Sequence, residues 1–165
     1  MNLVTGGTGH IGNVLVRELI KKGERVRVLV LPEEDLSPFN GLDVEICRGN
    51  ILDKDSIRPA FEGIDFVFHL AGIISIMPGK DQLVHDVNVN GTKNVMSCAV
   101  EAKVKKMVHT SSIHAFARIH HGLIVDENTP IDSENAIAAY DQSKAEATLA
   151  VIEETKKGFP AVIVC

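Results

Sequence analysis

Cysteine is scarce in this sequence, and its placement excludes small domains that are held together by disulfides or by zinc. The 165 residues include three cysteines, Cys47, Cys98 and Cys165. Their number is odd, and none of them form the close pairs that a zinc knuckle requires. A disulfide framework or a structural zinc site is therefore not expected, and the thiols are expected to be buried.

Basic charge and long apolar runs are also missing. The formal net charge is −5, with 17 Lys and Arg against 22 Asp and Glu, so the chain offers no positive field for nucleic acid or acidic lipid. No window approaches the roughly 18 consecutive apolar residues of a membrane span, and the N-terminus lacks the layout of a signal peptide. We therefore expect a cytoplasmic protein with no nucleic-acid or membrane partner.

The composition that remains is that of one ordinary globular domain. Hydrophobic residues make up 45% and charged residues 24% of the chain, which fits neither disorder nor a fibrous repeat. A chain of this length can bury one sizeable core but has little room for a second. We expect a single domain over residues 1–165.

A glycine-rich turn near the N-terminus is the most informative stretch. A strand-like segment over residues 1–4 leads into Thr5 to Gly12, and apolar residues at helical spacing follow. Gly6, Gly9 and Gly12 have the spacing G-x-x-G-x-x-G, one residue different from the commonest dinucleotide fingerprint. Glycines let a ligand approach the backbone, and a helix N-terminus offers free N–H groups and a positive dipole end. The turn is therefore predicted to bind a pyrophosphate.

Strand-like and helix-like segments alternate along the whole chain. Strands are predicted at residues 1–4, 25–31, 44–47, 64–70, 104–109 and 160–165. Helices lie between them, and the longest are predicted at about residues 80–102 and 136–156. Right-handed crossovers then give an α/β fold, a doubly wound parallel sheet of the Rossmann type in the order 3-2-1-4-5-6. The almost wholly apolar segment 64–70 is expected to be buried on both faces.

Three segments follow strands of this predicted sheet at the same edge. Thr5 to Gly12 follows the first strand, Ala71-Gly72 the fourth and Ser111-Ser112 the fifth. Ligands of such sheets bind beyond the carboxyl ends of the strands. We therefore expect these segments to meet around one crevice, with the polar connection after Ser112 at its rim.

The only tyrosine of the chain has a lysine four residues after it. Tyr140 and Lys144 lie on a predicted helix, and this spacing places both side chains on one face, about 5–6 Å apart at Cβ. An ammonium at that distance would favour the phenolate, so the tyrosine could exchange a proton near neutral pH. Ser112 could hydrogen-bond the same substrate oxygen.

Five segments carry a resemblance to a known superfamily. They are Thr5 to Gly12, His69 to Gly72, Asn88 to Thr92, Thr110 to Ser112, and Tyr140 to Lys144. In this order they resemble the motifs of the extended short-chain dehydrogenase/reductases, over nearly the whole chain. Phe68 to Gly72 and Ala139 to Glu146 are similar to the dihydroflavonol-4-reductase-like and NAD-dependent epimerase/dehydratase groups.

The resemblance implies a role for each matching residue. Tyr140 would be the general acid/base, Lys144 would hold the nicotinamide ribose and Ser112 would orient the substrate oxygen. Asn88 would support the site, although it could instead bridge its helix to a neighbouring strand. The implied cofactor-binding residues are Gly6, Gly9, His10, Ile11 and Gly12 at the pyrophosphate, Asn50 and Ile51 at the adenine, and Leu70, Ala71 and Gly72 along the ribose and phosphates.

The sequence departs from this pattern where the cofactor is selected. Many relatives have Asp at the position of Asn50, which can still accept a hydrogen bond but without the charge. The second strand ends in Leu31, where an acid would indicate NAD and an arginine NADP. Acidic residues follow at 33–35 and would repel a 2′-phosphate if they folded back. NAD is therefore favoured over NADP.

Relatives continue beyond the position of Cys165 through a substrate-binding region. This chain is therefore expected to be the cofactor-binding part of an enzyme, truncated at its C-terminus. Relatives also form homodimers through the two long helices, here about 80–102 and 136–157, and the same is expected of this chain.

The sequence is compatible with two functions. The first is an NAD(P)-dependent oxidoreductase or epimerase that transfers a hydride at a secondary alcohol or ketone of a small-molecule substrate. The alternative is a catalytically inactive module that binds or senses a dinucleotide, and the Tyr140 and Lys144 pair favours the enzyme. His114, His120 and His121 have no acidic or cysteine partner at ligand spacing, so no metal is expected.

Overall fold

Six parallel strands form one sheet in the order β3-β2-β1-β4-β5-β6, which confirms the predicted fold class. The computed structural model describes residues 1–74, 79–118, 122 and 124–165. The strands are β1 (Asn2–Thr5), β2 (Val26–Val30), β3 (Glu45–Arg48), β4 (Phe66–His69), β5 (Lys106–Thr110) and β6 (Ala161–Val164). All carboxyl ends therefore meet at one edge, as a parallel sheet requires.

Helices connect the strands, and one of them differs from its prediction. They are α1 (His10–Lys21), α2 (Lys54–Ile57), α3 (Asp81–His85), α4 (Thr92–Glu101) and α5 (Ala139–Lys156). The single helix predicted at 80–102 is divided by a π-helical segment, Asp86–Gly91. At its C-terminal end the hydroxyl of Thr92, the first residue of α4, donates to Asn88 O over 2.6 Å, a side-chain bond back to a carbonyl four residues earlier.

Alternation along the strands divides the core into two layers. Leu3 and Leu29 face one side, in a cluster with Val95 of α4 and Val151 of α5. Val4 and Val28 face the other, in a cluster with Val16 of α1 and Phe39. Successive side chains of a strand point to opposite faces, so β1 and β2 contribute to both layers.

The fourth strand is shorter and less buried than predicted. Val67 and His69 are fully enclosed, but Phe66, the first residue of β4, is 40% exposed. Phe39 and Phe61 are buried in the core. In the ranges that the structure describes, the helices are too short or too polar to cross a bilayer.

Candidate functional site

The glycine turn between β1 and α1 forms one wall of a groove. Gly6 has a φ of +70°, and a Cβ there would lie 2.7 Å from Ala71 N, so this position requires glycine. Gly9 is the N-cap of α1, and no side chain caps this end of the helix. The N–H groups of its first turn can therefore bind an anion.

Two adjoining cavities make up the groove. The first has a volume of about 420 Å³ and the second about 300 Å³. Because Gly6, Leu70 and Gly72 line both, the cavities form one groove across the carboxyl ends of β1 and β4. The first is lined by the predicted residues Asn50, Ile51, Leu70, Ala71 and Gly72, and the second by Gly6, Gly9, His10, Ile11, Gly12, Asn88, Tyr140 and Lys144.

Tyr140 and Lys144 lie together at the end of the second cavity. Lys144 donates from Nζ to Thr110 O over 2.6 Å, which fixes its ammonium at the carboxyl end of β5. Burial lowers the pKa of Lys144 from its ordinary value. Helix α5 thus brings Tyr140 and Lys144 to the edge formed by the carboxyl ends of the strands, where the glycine turn also lies.

Ser112 is not among the residues that line this cavity, whereas its neighbour Ser111 is. The Ser112 oxygen accepts a hydrogen bond from His114 N over 3.2 Å. The described residues offer no acceptor to its hydroxyl proton, which can therefore be donated to a ligand. Ser111 is turned into the protein, where its hydroxyl meets that of Thr148 at 2.5 Å.

Asn88 joins the segment after β4 to α5. Its Oδ1 accepts from Ile73 N at 2.8 Å, and its Nδ2 donates to Ile73 O at 3.0 Å and to Ser143 Oγ at 2.9 Å. A Cβ on Gly72 would lie 3.0 Å from the same Oδ1. Asn88 therefore fixes the chain after β4, one wall of the second cavity, to α5.

A buried histidine, to which the motif pattern assigns no role of its own, joins the end of β1 to the helix layer. His69 Nδ1 lies 2.7 Å from Thr5 Oγ1, and His69 Nε2 lies 2.9 Å from Thr92 Oγ1. The Thr92 proton is used on Asn88 O, so Nε2 carries the ring proton and Nδ1 accepts from Thr5. Thr5 in turn accepts from Ala71 N over 3.1 Å. The sequence signal for this buried contact was a histidine within an otherwise apolar strand.

A second histidine contacts the tyrosine itself. His114 Nδ1 lies 3.0 Å from Asp141 Oδ1, and its ring packs edge-on against Tyr140 with centroids 6.1 Å apart. These contacts join the turn after β5 to the first turn of α5. His120 and His121 lie outside the described residues. Elsewhere in the described chain, His, Cys, Asp and Glu do not gather in threes that could hold a metal.

Comparison with known proteins gives a consistent family. Residues 3–159 match the 3-beta hydroxysteroid dehydrogenase/isomerase family. Sterol demethylase protein B of Methylococcus capsulatus is 38% identical over 162 residues, which cover 98% of this chain and 49% of that protein. This chain spans about half the length of the curated relatives it matches.

Solved structures agree on the fold. The crystal structure of gox2253 is 35% identical with a TM-score of 0.91, and the match covers 99% of this chain and 50% of that chain. A short-chain dehydrogenase/reductase superfamily protein from Agrobacterium tumefaciens, solved with bound NAD, is 27% identical with a TM-score of 0.85. That match covers 99% of this chain and 48% of the other.

Proposed function

Since this chain belongs to the 3-beta hydroxysteroid dehydrogenase/isomerase family of extended short-chain dehydrogenase/reductases, we propose that it is the cofactor-binding part of an NAD(P)-dependent oxidoreductase or epimerase. The reaction proposed is hydride transfer at a secondary alcohol or ketone. The observation that supports it is one continuous groove with an uncapped helix N-terminus at its centre and Tyr140 and Lys144 at one end.

The proposed binding mode follows the two cavities. The pyrophosphate binds at Gly6, Gly9 and the first turn of α1, where free N–H groups can donate to its oxygens. The adenosine half occupies the first cavity, beside Asn50 and Ile51. The nicotinamide half occupies the second cavity and ends next to Tyr140 and Lys144.

The chemistry proposed for the chain is proton transfer by Tyr140. A bound dihydronicotinamide supplies a hydride to a carbonyl carbon. The Tyr140 hydroxyl donates its proton to the carbonyl oxygen, while Ser112 donates a hydrogen bond to the same oxygen. Lys144, held by Thr110 O, places a positive charge where the phenolate forms and so stabilises it.

The expected result is that this chain binds NADH with a measurable affinity, followed as enhanced fluorescence of the dinucleotide. Tyr140→Phe removes only one hydroxyl and should leave the dissociation constant within about 2-fold of the wild type. In the complete polypeptide, with NADH and cyclohexanone as a test ketone, the same variant should lose at least about 100-fold in turnover, a typical general-acid contribution.

The outcomes separate the two functions. If neither NADH nor NADPH binds, the proposed function is wrong. If the dinucleotide binds and Tyr140→Phe retains full turnover, the acid/base role is wrong. A complete polypeptide that binds the dinucleotide but turns over no ketone with NADH and no secondary alcohol with NAD would instead be a dinucleotide-binding module.

We also propose a homodimer through α4 and α5. A groove of about 420 Å³ between these helices is lined by Met96, Val100 and Ala150, with Lys93 on one side and Glu153 on the other. A twofold axis along the groove would place the opposite charges against each other.

Light scattering should give a dimer, and Val100→Glu should give a monomer, whereas Val14→Glu on α1 should not. A monomeric wild type would contradict this proposal.

A further inference from the structure

The first cavity lacks an acid at the end of β2, where the ribose of a dinucleotide would lie. Leu29, Val30 and Leu31 line this side of the cavity. They can contact the ligand only through apolar side chains and their backbone. Any polar recognition of a ribose must therefore come from another segment.

A turn after β2 supplies such a segment. Glu34 N donates to Leu31 O over 3.1 Å, which closes a four-residue turn with Pro32 in its second position, where proline is favoured. Arg48 at the end of β3 donates from one nitrogen to Leu31 O at 3.1 Å and to Pro32 O. The turn is thus fixed to the sheet, and the chain after it folds back toward the glycine turn.

Only one of the three acidic residues in this loop faces the cavity. The Glu34 side chain lines it, and its Oε1 accepts a hydrogen bond from Thr8 Oγ1 over 3.0 Å. Glu33 is exposed. Asp35 is used within the loop, where it accepts from Ser37 N over 2.9 Å. Glu34 therefore places a carboxylate, steadied by Thr8, beside the wall of the glycine turn.

We propose that Glu34 is the specificity-determining residue that selects NAD over NADP. The inference rests on the proposed function, because it requires the dinucleotide in this groove. A carboxylate accepts hydrogen bonds from the two hydroxyls of a ribose, and it repels a 2′-phosphate dianion. Leu31 offers neither interaction, so the acid reaches the ribose from a position three residues later in the chain.

The test is calorimetric titration of this chain with NAD and with NADP. The wild type should bind NAD at least about 10-fold more tightly than NADP, the range expected for one charged hydrogen bond. Glu34→Gln should weaken NAD and strengthen NADP, so that the ratio falls below about 3. Glu34→Arg should invert the preference. Glu33→Gln, with the same change of charge one residue away, should leave both affinities within about 2-fold.

The outcomes distinguish this inference from the function on which it rests. If the wild type binds neither dinucleotide, the proposed function is wrong and the inference with it. If it binds both equally, or if Glu34→Gln changes both affinities by the same factor, only the inference is wrong. Thr8→Val leaves the carboxylate in place but removes its hydrogen bond, so it should weaken NAD by about 3-fold or more. Circular dichroism of each variant confirms that it is folded.

Discussion

Gly12→Ala is expected to destabilise the protein by about 3 kcal/mol or more, at the upper end of the cost of overpacking. A Cβ on Gly12 would lie 2.1 Å from Gly6 O and 2.9 Å from Gly7 Cα. Both atoms belong to the backbone of the turn, so no side-chain rotation can relieve the clash. Either α1 must move away from the sheet or the turn must open, and both changes separate Val16 from its core layer.

The measurement is the free energy of unfolding in urea, followed by far-ultraviolet circular dichroism. Gly9→Ala is the matched control, because its Cβ would meet only Gly6 O, at 3.3 Å. This control should cost about 1 kcal/mol or less, mostly through the helix N-cap. Equal stability of Gly12→Ala and the wild type would show that the helix does not pack this closely on the turn.

Acidification is expected to remove a large part of the stability through two buried histidines. His69 and His109 are 1% and 2% exposed and stack with ring centroids 5.5 Å apart. Burial lowers the pKa of His109 to about 3. Burial, and then the neighbouring His109, hold the pKa of His69 well below its ordinary value. Both rings are therefore neutral in the folded protein.

The direction of the effect follows from proton binding. In the unfolded chain a histidine takes up a proton below about pH 6.5, whereas these two stay neutral in the folded state. The contribution of the two histidines to stability is complete above about pH 6.5. It is lost as the pH falls toward their pKa values in the folded protein. Each ring should lower the free energy of unfolding by about 1.4 kcal/mol per pH unit. Both rings together should therefore lower it by about 5 kcal/mol between pH 6.5 and 4.5. That is comparable to the whole stability of many domains.

His109→Leu tests this expectation. Neither ring nitrogen of His109 has a hydrogen-bond partner among the described protein atoms, so replacing it with an apolar side chain should be neutral or stabilising at pH 7. The variant should also lose about half as much stability on acidification as the wild type does. His10→Gln, on an exposed histidine, is the control and should keep the full loss. An unchanged pH dependence in His109→Leu would contradict the assignment.

Those features of this molecule that depend on local pattern could be predicted from the sequence. The order of the strands follows from alternation and crossover handedness. The glycine turn was recognisable because the backbone leaves no room for a Cβ at Gly6 or Gly12, so both positions of the motif require glycine. Tyr140 and Lys144 were found because one helical turn brings them together whatever surrounds the helix.

Features that depend on contacts between distant segments were not predictable. Glu34 was one of three equivalent acids in the sequence, and only the turn closed at Leu31 and fixed by Arg48 decides which one faces the cavity. The stacking of His69 on His109 depends on the register between β4 and β5, which pairs these residues directly. The hydrogen bond from the Thr92 hydroxyl to the Asn88 carbonyl at the end of the π-helical segment is a side-chain contact that residue periodicity does not report.

The side chains that fix the segment after β4 also determine how much order a ligand has to impose. Thr5 Oγ1 holds Ala71 N, and Asn88 holds both the N–H and the carbonyl of Ile73. Ordering the backbone of one residue costs about 1–2 kcal/mol in conformational entropy. The residues of this groove wall are already ordered by folding, so a ligand does not have to order them. A dinucleotide would therefore dock against this wall nearly as a rigid body, with its affinity governed by contacts rather than by reorganisation of the protein.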